Sequence, residues 1–117
     1  MAISLISFGY RYGIPKADIV ISARKLPNPW YVFKNSHKTG LDDDVYDMVR
    51  GHYQFKIFVN KAFDHTMSKH DRDSTLTVAI GCMGGKHRSV SVVRKLRRMY
   101  KNRGIKVSVL HRDIDRK

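Results

Sequence analysis

The residues best suited to chemistry stand together at Cys82, Met83, Gly84, Gly85, Lys86, His87, Arg88 and Ser89. Two adjacent glycines turn a chain tightly and let a ligand approach its backbone. Three cationic or hydrogen-bonding side chains and a hydroxyl follow them. An apolar run, Leu76 to Ile80, leads in, and a helical pattern from about Arg88 to Arg103 leads out. A strand, a glycine-rich turn and a helix N-terminus gather unpaired amides at the positive end of a helix dipole. The chemistry predicted is binding of a phosphate group, with Gly84, Gly85, Lys86, His87, Arg88 and Ser89 as its contacts.

The same residues support a second reading. They spell C-x2-G-x2-R-S, which resembles the signature loop of the cysteine-dependent protein phosphatases. That resemblance makes Cys82 the thiolate nucleophile, has Arg88 and the loop amides bind the phosphoryl oxygens, and has Ser89 assist the leaving thiolate. A helix N-terminus and an arginine both depress a thiol pKa. A general acid is also needed, and Asp18, Asp42 and Asp113 are the options. The plain structural role for Cys82 is a small buried residue at a strand end.

The elements that must position this turn follow from periodicity. Residues 3–8 read as a first strand ended by Gly9, and residues 9–15 as a loop with two tyrosines and an arginine that could stack bases or grip a phosphorylated ligand, an ordinary aromatic-packed turn being the alternative. Asp18 to Ala23 is β-branched and reads as a second strand. Two prolines, Pro27 and Pro29, forbid a helix in the loop behind it and stiffen that loop. Arg24, at the strand's end, is a further ligand candidate, because α/β folds keep site residues there.

Asp42, Asp43 and Asp44 open a helix with Val45, Met48 and Val49 on its buried side and Gly51 at its end. Acidic residues suit a helix start, and a divalent-metal site is the less favoured account of them. Tyr53 to Met67 reads as a second helix, with Phe55, Phe58, Val59, Ala62, Phe63 and Thr66 at helical spacing. A polar turn covers 65–74, and the five-residue spacing of His65 and His70 does not suit a helical zinc pair. Leu76 to Ile80 is the third strand. The helix after the turn buries Val92, Val93, Leu96, Met99 and Tyr100. A separate ridge, Arg94, Arg97, Arg98 and Lys101 with Lys95 beside it, contains no acid and suits a phosphate backbone. Gly104 ends that helix, and residues 105–110 alternate as a last strand. The order predicts an α/β fold: a small mixed sheet of about four strands with helices packed on it, its last strand–helix–strand unit joining parallel strands.

Length and composition set the bounds. The chain has 117 residues and reads as one domain spanning 1–117. Its net charge is +13, and all ten acids are aspartate. Residues 86–117 hold 12 Lys/Arg against 2 Asp, which points to a polyanionic partner, most plausibly nucleic acid. No apolar run approaches the roughly 20 residues of a membrane helix. The uncharged start, Met1 to Ile6, reads as a strand and not a signal peptide. A single cysteine fits a reducing, cytoplasmic setting. No metal and no cofactor is expected.

Five motifs in order carry a broader resemblance: Ser7 to Pro15, Arg24 to Pro29, Thr39 to Asp42, Gly81 to Val90, and His111 to Asp113. Together they resemble the C-terminal domain of the RapZ RNase-adaptor family over about a hundred residues. The resemblance implies binding of small regulatory RNA, presentation of that RNA to a ribonuclease, homo-oligomerisation, and sensing of an amino-sugar phosphate, glucosamine-6-phosphate. It puts Gly84, Gly85, His87 and Arg88 in the sugar-phosphate pocket, with Arg24 and the 9–13 loop on its rim. Nothing in the sequence matches the nucleotide-binding domain with which full-length members begin, so the likeness is to a stand-alone module. The expected function is an RNA-binding adaptor with a phosphate pocket. RNA would lie on Arg94, Lys95, Arg97, Arg98, Lys101, Arg112, Arg116 and Lys117. A Cys82-dependent phosphatase and a protein-binding scaffold are the alternatives.

Overall fold

Ile3 and Leu5 are apolar positions two apart, and in the computed structural model, which describes residues 2–69 and 74–116, they point into the core from strand β1, Ala2–Gly9. Strand β2 is Ile19–Ser22, β3 is Thr75–Cys82, its last five residues all buried, and β4 is Lys106–His111, which alternates like β1. The strands lie in the order β2-β3-β1-β4, and every neighbouring pair is parallel. The four-stranded α/β sheet is as expected, but its pairing is uniformly parallel where a mixed sheet was anticipated. Among the described residues no two consecutive strands are joined by the short turn that an antiparallel hairpin needs. β3 and β4 run parallel, as predicted, with β1 between them.

Among the described residues four α-helices accompany the sheet. Helix α1, Trp30–Phe33, was not foreseen. Proline is tolerated at a helix start because the first N–H groups have no intrahelical partner. Pro29 takes that place, and Asn28 Oδ1 accepts the Trp30 amide at 3.1 Å. Helix α2 is Asp43–Arg50 and α3 is Tyr53–Lys69. Val45 and Val49 are buried as predicted, whereas Met48 is 45% exposed. Asp42, at the N-cap, does not cap the helix with its side chain and instead accepts the Thr39 amide at 2.8 Å. Asp43 and Asp44 pair with Arg94 and Lys38, so each of the three aspartates has a partner within the chain. Among the described residues no cluster of His, Cys or Asp suits a metal ion. Among the described residues no helix is long and apolar enough to cross a membrane.

Helix α4, Arg88–Asn102, packs directly on β1, β3 and β4, and α2 and α3 pack on α4. The core joins Ile3, Leu5, Val78 and Ile80 of the sheet to Val92, Val93, Leu96 and Tyr100 of α4 and Val59 and Phe63 of α3. The Tyr100 hydroxyl meets the Thr66 hydroxyl, which also donates to the Ala62 carbonyl, so the buried phenol is satisfied. Because the strands are all parallel, β1, β2, β3 and β4 end at one edge, at Gly9, Ser22, Cys82 and His111. In open parallel sheets that edge is where ligands bind. His70 and Lys117, both considered in the sequence, lie outside the described residues.

Candidate functional site

The two central strands end in register, Gly9 beside Cys82, and their outgoing loops touch. The Arg11 amide donates to the Met83 carbonyl at 3.2 Å. Glycine makes the contact possible. A Cβ on Gly85, whose φ is +75°, would lie 2.5 Å from the Gly9 nitrogen. A Cβ on Gly84 would meet nothing within 4 Å. The paired glycines therefore divide the work: Gly85 seats the turn on β1, and Gly84 leaves open space beside the backbone.

That open space is a cavity of about 330 Å³ at the end of the sheet. The turn supplies Cys82, Met83, Gly84, Lys86, His87 and Arg88. The loop after β1 supplies Arg11 and Tyr12, and the loop after β2 supplies Asn28 and Trp30. The amides of Gly84, Gly85, Lys86 and His87 donate to no acceptor among the described residues. They precede α4, where the helix dipole favours negative charge.

Arg88 is only 7% exposed. Its Nη1 donates to the Arg24 carbonyl at 2.8 Å and the Leu26 carbonyl at 3.3 Å. Its Nε is buried with no partner among the described residues. Arg88 thus holds the β2–α1 loop against the turn and keeps donor capacity in reserve. His87 is half-buried. Burial pushes its imidazole below the ordinary histidine range, and the flanking Lys86 and Arg88 add to this. Its Nε2 lies 3.0 Å from the Lys38 carbonyl oxygen, so Nε2 carries the proton and donates it there. Lys86 donates its ammonium to the Arg116 carbonyl at the cavity wall.

The remaining candidates lie elsewhere. Arg24 stacks its guanidinium 3.8 Å over Tyr10 and does not line the cavity. Gly85 faces Gly9, and Ser89 is fully buried. The Cys82 thiol donates to the Ser89 hydroxyl at 3.2 Å, and its sulfur accepts the Ser89 amide at 3.4 Å. Asn28 and Trp30 line the cavity without having been singled out in the sequence. The signal that could have found them was their place in a stiff loop behind a parallel strand.

The anticipated RNA ridge is divided. Arg94 pairs with Asp43 at 2.7 Å and lies 4.1 Å over the Tyr46 ring, fastening α2 to α4. Arg97, Arg98 and Lys101 are exposed and form no ion pair among the described residues, and Lys95 is half-buried. Arg112 and Arg116 both reach Asp113. Arg112 also donates to the Tyr12 and Gly13 carbonyls, and Arg116 stacks 4.6 Å from Tyr12. Asp113 is fully buried and accepts the Gly9 amide at 2.7 Å. This cluster clips the C-terminal segment to the loop that forms one wall of the cavity.

A family model described as RapZ C-terminal domain matches residues 1–115. A "Nucleotide-binding protein" of Caldicellulosiruptor bescii is 42% identical, covering 99% of this chain and 42% of its own length. Proteins of the same name from Thermotoga neapolitana and Lacticaseibacillus casei are 39% and 40% identical, covering 99% and 96% of this chain. The chain spans about two fifths of the length of these curated relatives.

Proposed function

The chain belongs to the RapZ C-terminal domain family, and from that premise we propose that it is an RNA-binding, adaptor-type module that seats a phosphate or sugar-phosphate at the Gly84–Arg88 turn. One observation carries the reading: a buried guanidinium opens helix α4 after four consecutive amides, and neither its Nε nor those amides have a partner among the described residues. A buried unsatisfied donor costs roughly 1–3 kcal/mol. Phosphate oxygens are the acceptors that offset such a cost, with charge-assisted hydrogen bonds. The exposed, acid-free side of α4, Arg97, Arg98 and Lys101, supports contact with a nucleic-acid backbone. Arg94, Arg112 and Arg116 already have partners within the fold and contribute less. Presentation of the bound RNA to a ribonuclease and self-association complete the adaptor role.

The test is calorimetric titration of inorganic phosphate and glucosamine-6-phosphate into wild type and Arg88→Ala. Binding should fall at least about a hundredfold, as expected when charge-assisted contacts are lost. Because Nη1 also ties down the Arg24 and Leu26 carbonyls, the variant should lose about 2 kcal/mol of stability. Unchanged affinity in the folded variant sinks the assignment.

The contact between Cys82 and Ser89 favours a second reading, the cysteine-dependent phosphatase. Against it, no carboxylate among the described residues lines the cavity. Asp18 accepts the Thr77 amide near the opposite end of β3, Asp42 accepts the Thr39 amide, and Asp113 is held ionised by two arginines. Hydrolysis of an aryl phosphate that disappears in Cys82→Ser would establish this reading over simple binding.

A further inference from the structure

A second cavity, of about 680 Å³, adjoins the first, and Trp30, Lys86 and His87 line both. Trp30 is the chain's one tryptophan, is 47% exposed, and stands at the shared mouth. Its position is fixed on several sides. Pro29 and the Asn28 side chain set the start of α1, and Arg88 ties the Arg24–Leu26 backbone to the phosphate turn. Tyr31 meets Trp30 edge-on at 5.2 Å and is 79% exposed. Lys34 lies 5.6 Å from the indole centre. A half-exposed indole beside an anion seat, with a second compartment behind it lined by Lys34, Lys38, Lys86 and Arg116 and by one carboxylate, Asp115, suits a flat group joined to a phosphate.

We infer that the site takes the phosphorylated end of a single-stranded RNA, the terminal phosphate in the turn and the terminal base stacked on Trp30. The inference rests on the phosphate seat proposed above and names its substrate class. A terminal monoester carries about 1.5 to 2 negative charges, more than an internal diester, and so matches several convergent donors better. Every base has a π face, so stacking tolerates any sequence. The exposed residues Arg97, Arg98 and Lys101 lie about 14 to 20 Å farther along α4, at about 1.5 Å rise per residue, where following phosphates could be tracked.

Trp30 reports on its own occupancy through fluorescence. The probes are a short single-stranded oligoribonucleotide with a 5′-phosphate, with a 3′-phosphate, or with hydroxyls at both ends, and inorganic phosphate alone. An abasic-end version of whichever phosphorylated oligomer binds completes the set. One phosphorylated oligomer should bind about tenfold or more tightly than the hydroxyl-ended one and quench Trp30. Trp30→Leu, read by calorimetry because the substitution removes the chain's one tryptophan, and separately the abasic end on wild type, should each weaken oligomer binding by about tenfold. If both bind like their parents while inorganic phosphate still binds, the stacking platform is refuted and the seat survives. If inorganic phosphate fails to bind wild type, the seat itself fails and this inference with it.

Discussion

Replacing Asp113 by Asn perturbs the clip that holds the site's wall. The carboxylate accepts the Gly9 amide at 2.7 Å and the Arg112 and Arg116 guanidiniums at 2.8 and 2.7 Å. Burial alone would raise its pKa, but hydrogen bonds from Arg112, Gly9 and Arg116 outweigh that and lower it from 3.8 to about 2. At about 1.4 kcal/mol per pKa unit, the lowering corresponds to about 2 kcal/mol. Arg116 is half-exposed and contributes the smaller part. The folded-state pKa lies below the unfolded one. The stabilisation is therefore complete above about pH 4 and lost as pH falls through about 2. Asn keeps an oxygen for the Gly9 amide but no charge for the arginines. Asp113→Asn should be about 2 kcal/mol less stable at pH 7, or about 8 °C lower in Tm for a chain of this size. Urea unfolding of both proteins at pH 7, 4, 3 and 2, followed by circular dichroism, measures the gap. It should shrink toward zero below pH 4 as the wild-type carboxylate protonates. A gap that stays the same at every pH would refute the argument. Release of Arg112 from the Tyr12 and Gly13 carbonyls should also weaken phosphate binding at pH 7.

The paired glycines should respond differently to the same change. Gly84→Ala should shift stability by less than about 1 kcal/mol, since its Cβ meets nothing, yet reduce phosphate affinity by crowding the cavity. Gly85→Ala, at φ +75° and 2.5 Å from the Gly9 nitrogen, should cost about 2 kcal/mol or more, visible in a thermal melt. Neutralising Arg97, Arg98 and Lys101 together should lower the log–log salt slope of single-stranded RNA binding by about 2, at about 0.7 per phosphate contact. Arg94→Ala should leave that slope nearly unchanged and instead loosen the α2–α4 contact, because its charge is spent on Asp43 and Tyr46.

Local pattern carried most of the fold. The apolar alternation in β1 and β4 and the helical stripes of α3 and α4 are properties of neighbouring residues, and they located those elements to within a few positions. The double glycine marked the site for the same reason, since backbone freedom is an attribute of the residue itself. Strand order was not legible in this way. It depends on which strand lies beside which, and β1, first in the chain, inserts between β3 and β4. Residue type also could not say which charges were spent. Arg94, Arg97 and Arg98 are alike in sequence, yet one is fastened to Asp43 across 51 positions and the others face solvent. The union of Asp113 with Gly9, 104 positions apart, likewise exists only after the sheet closes. The sequence by itself determined most of the elements, the glycine turn at the sheet's edge and the basic excess. Tertiary structure alone decided that Gly85 supports the turn while Gly84 opens it, that Arg88 holds a loop as well as facing the cavity, and that Trp30 joins the site, because burial and partnership are set by distance in space.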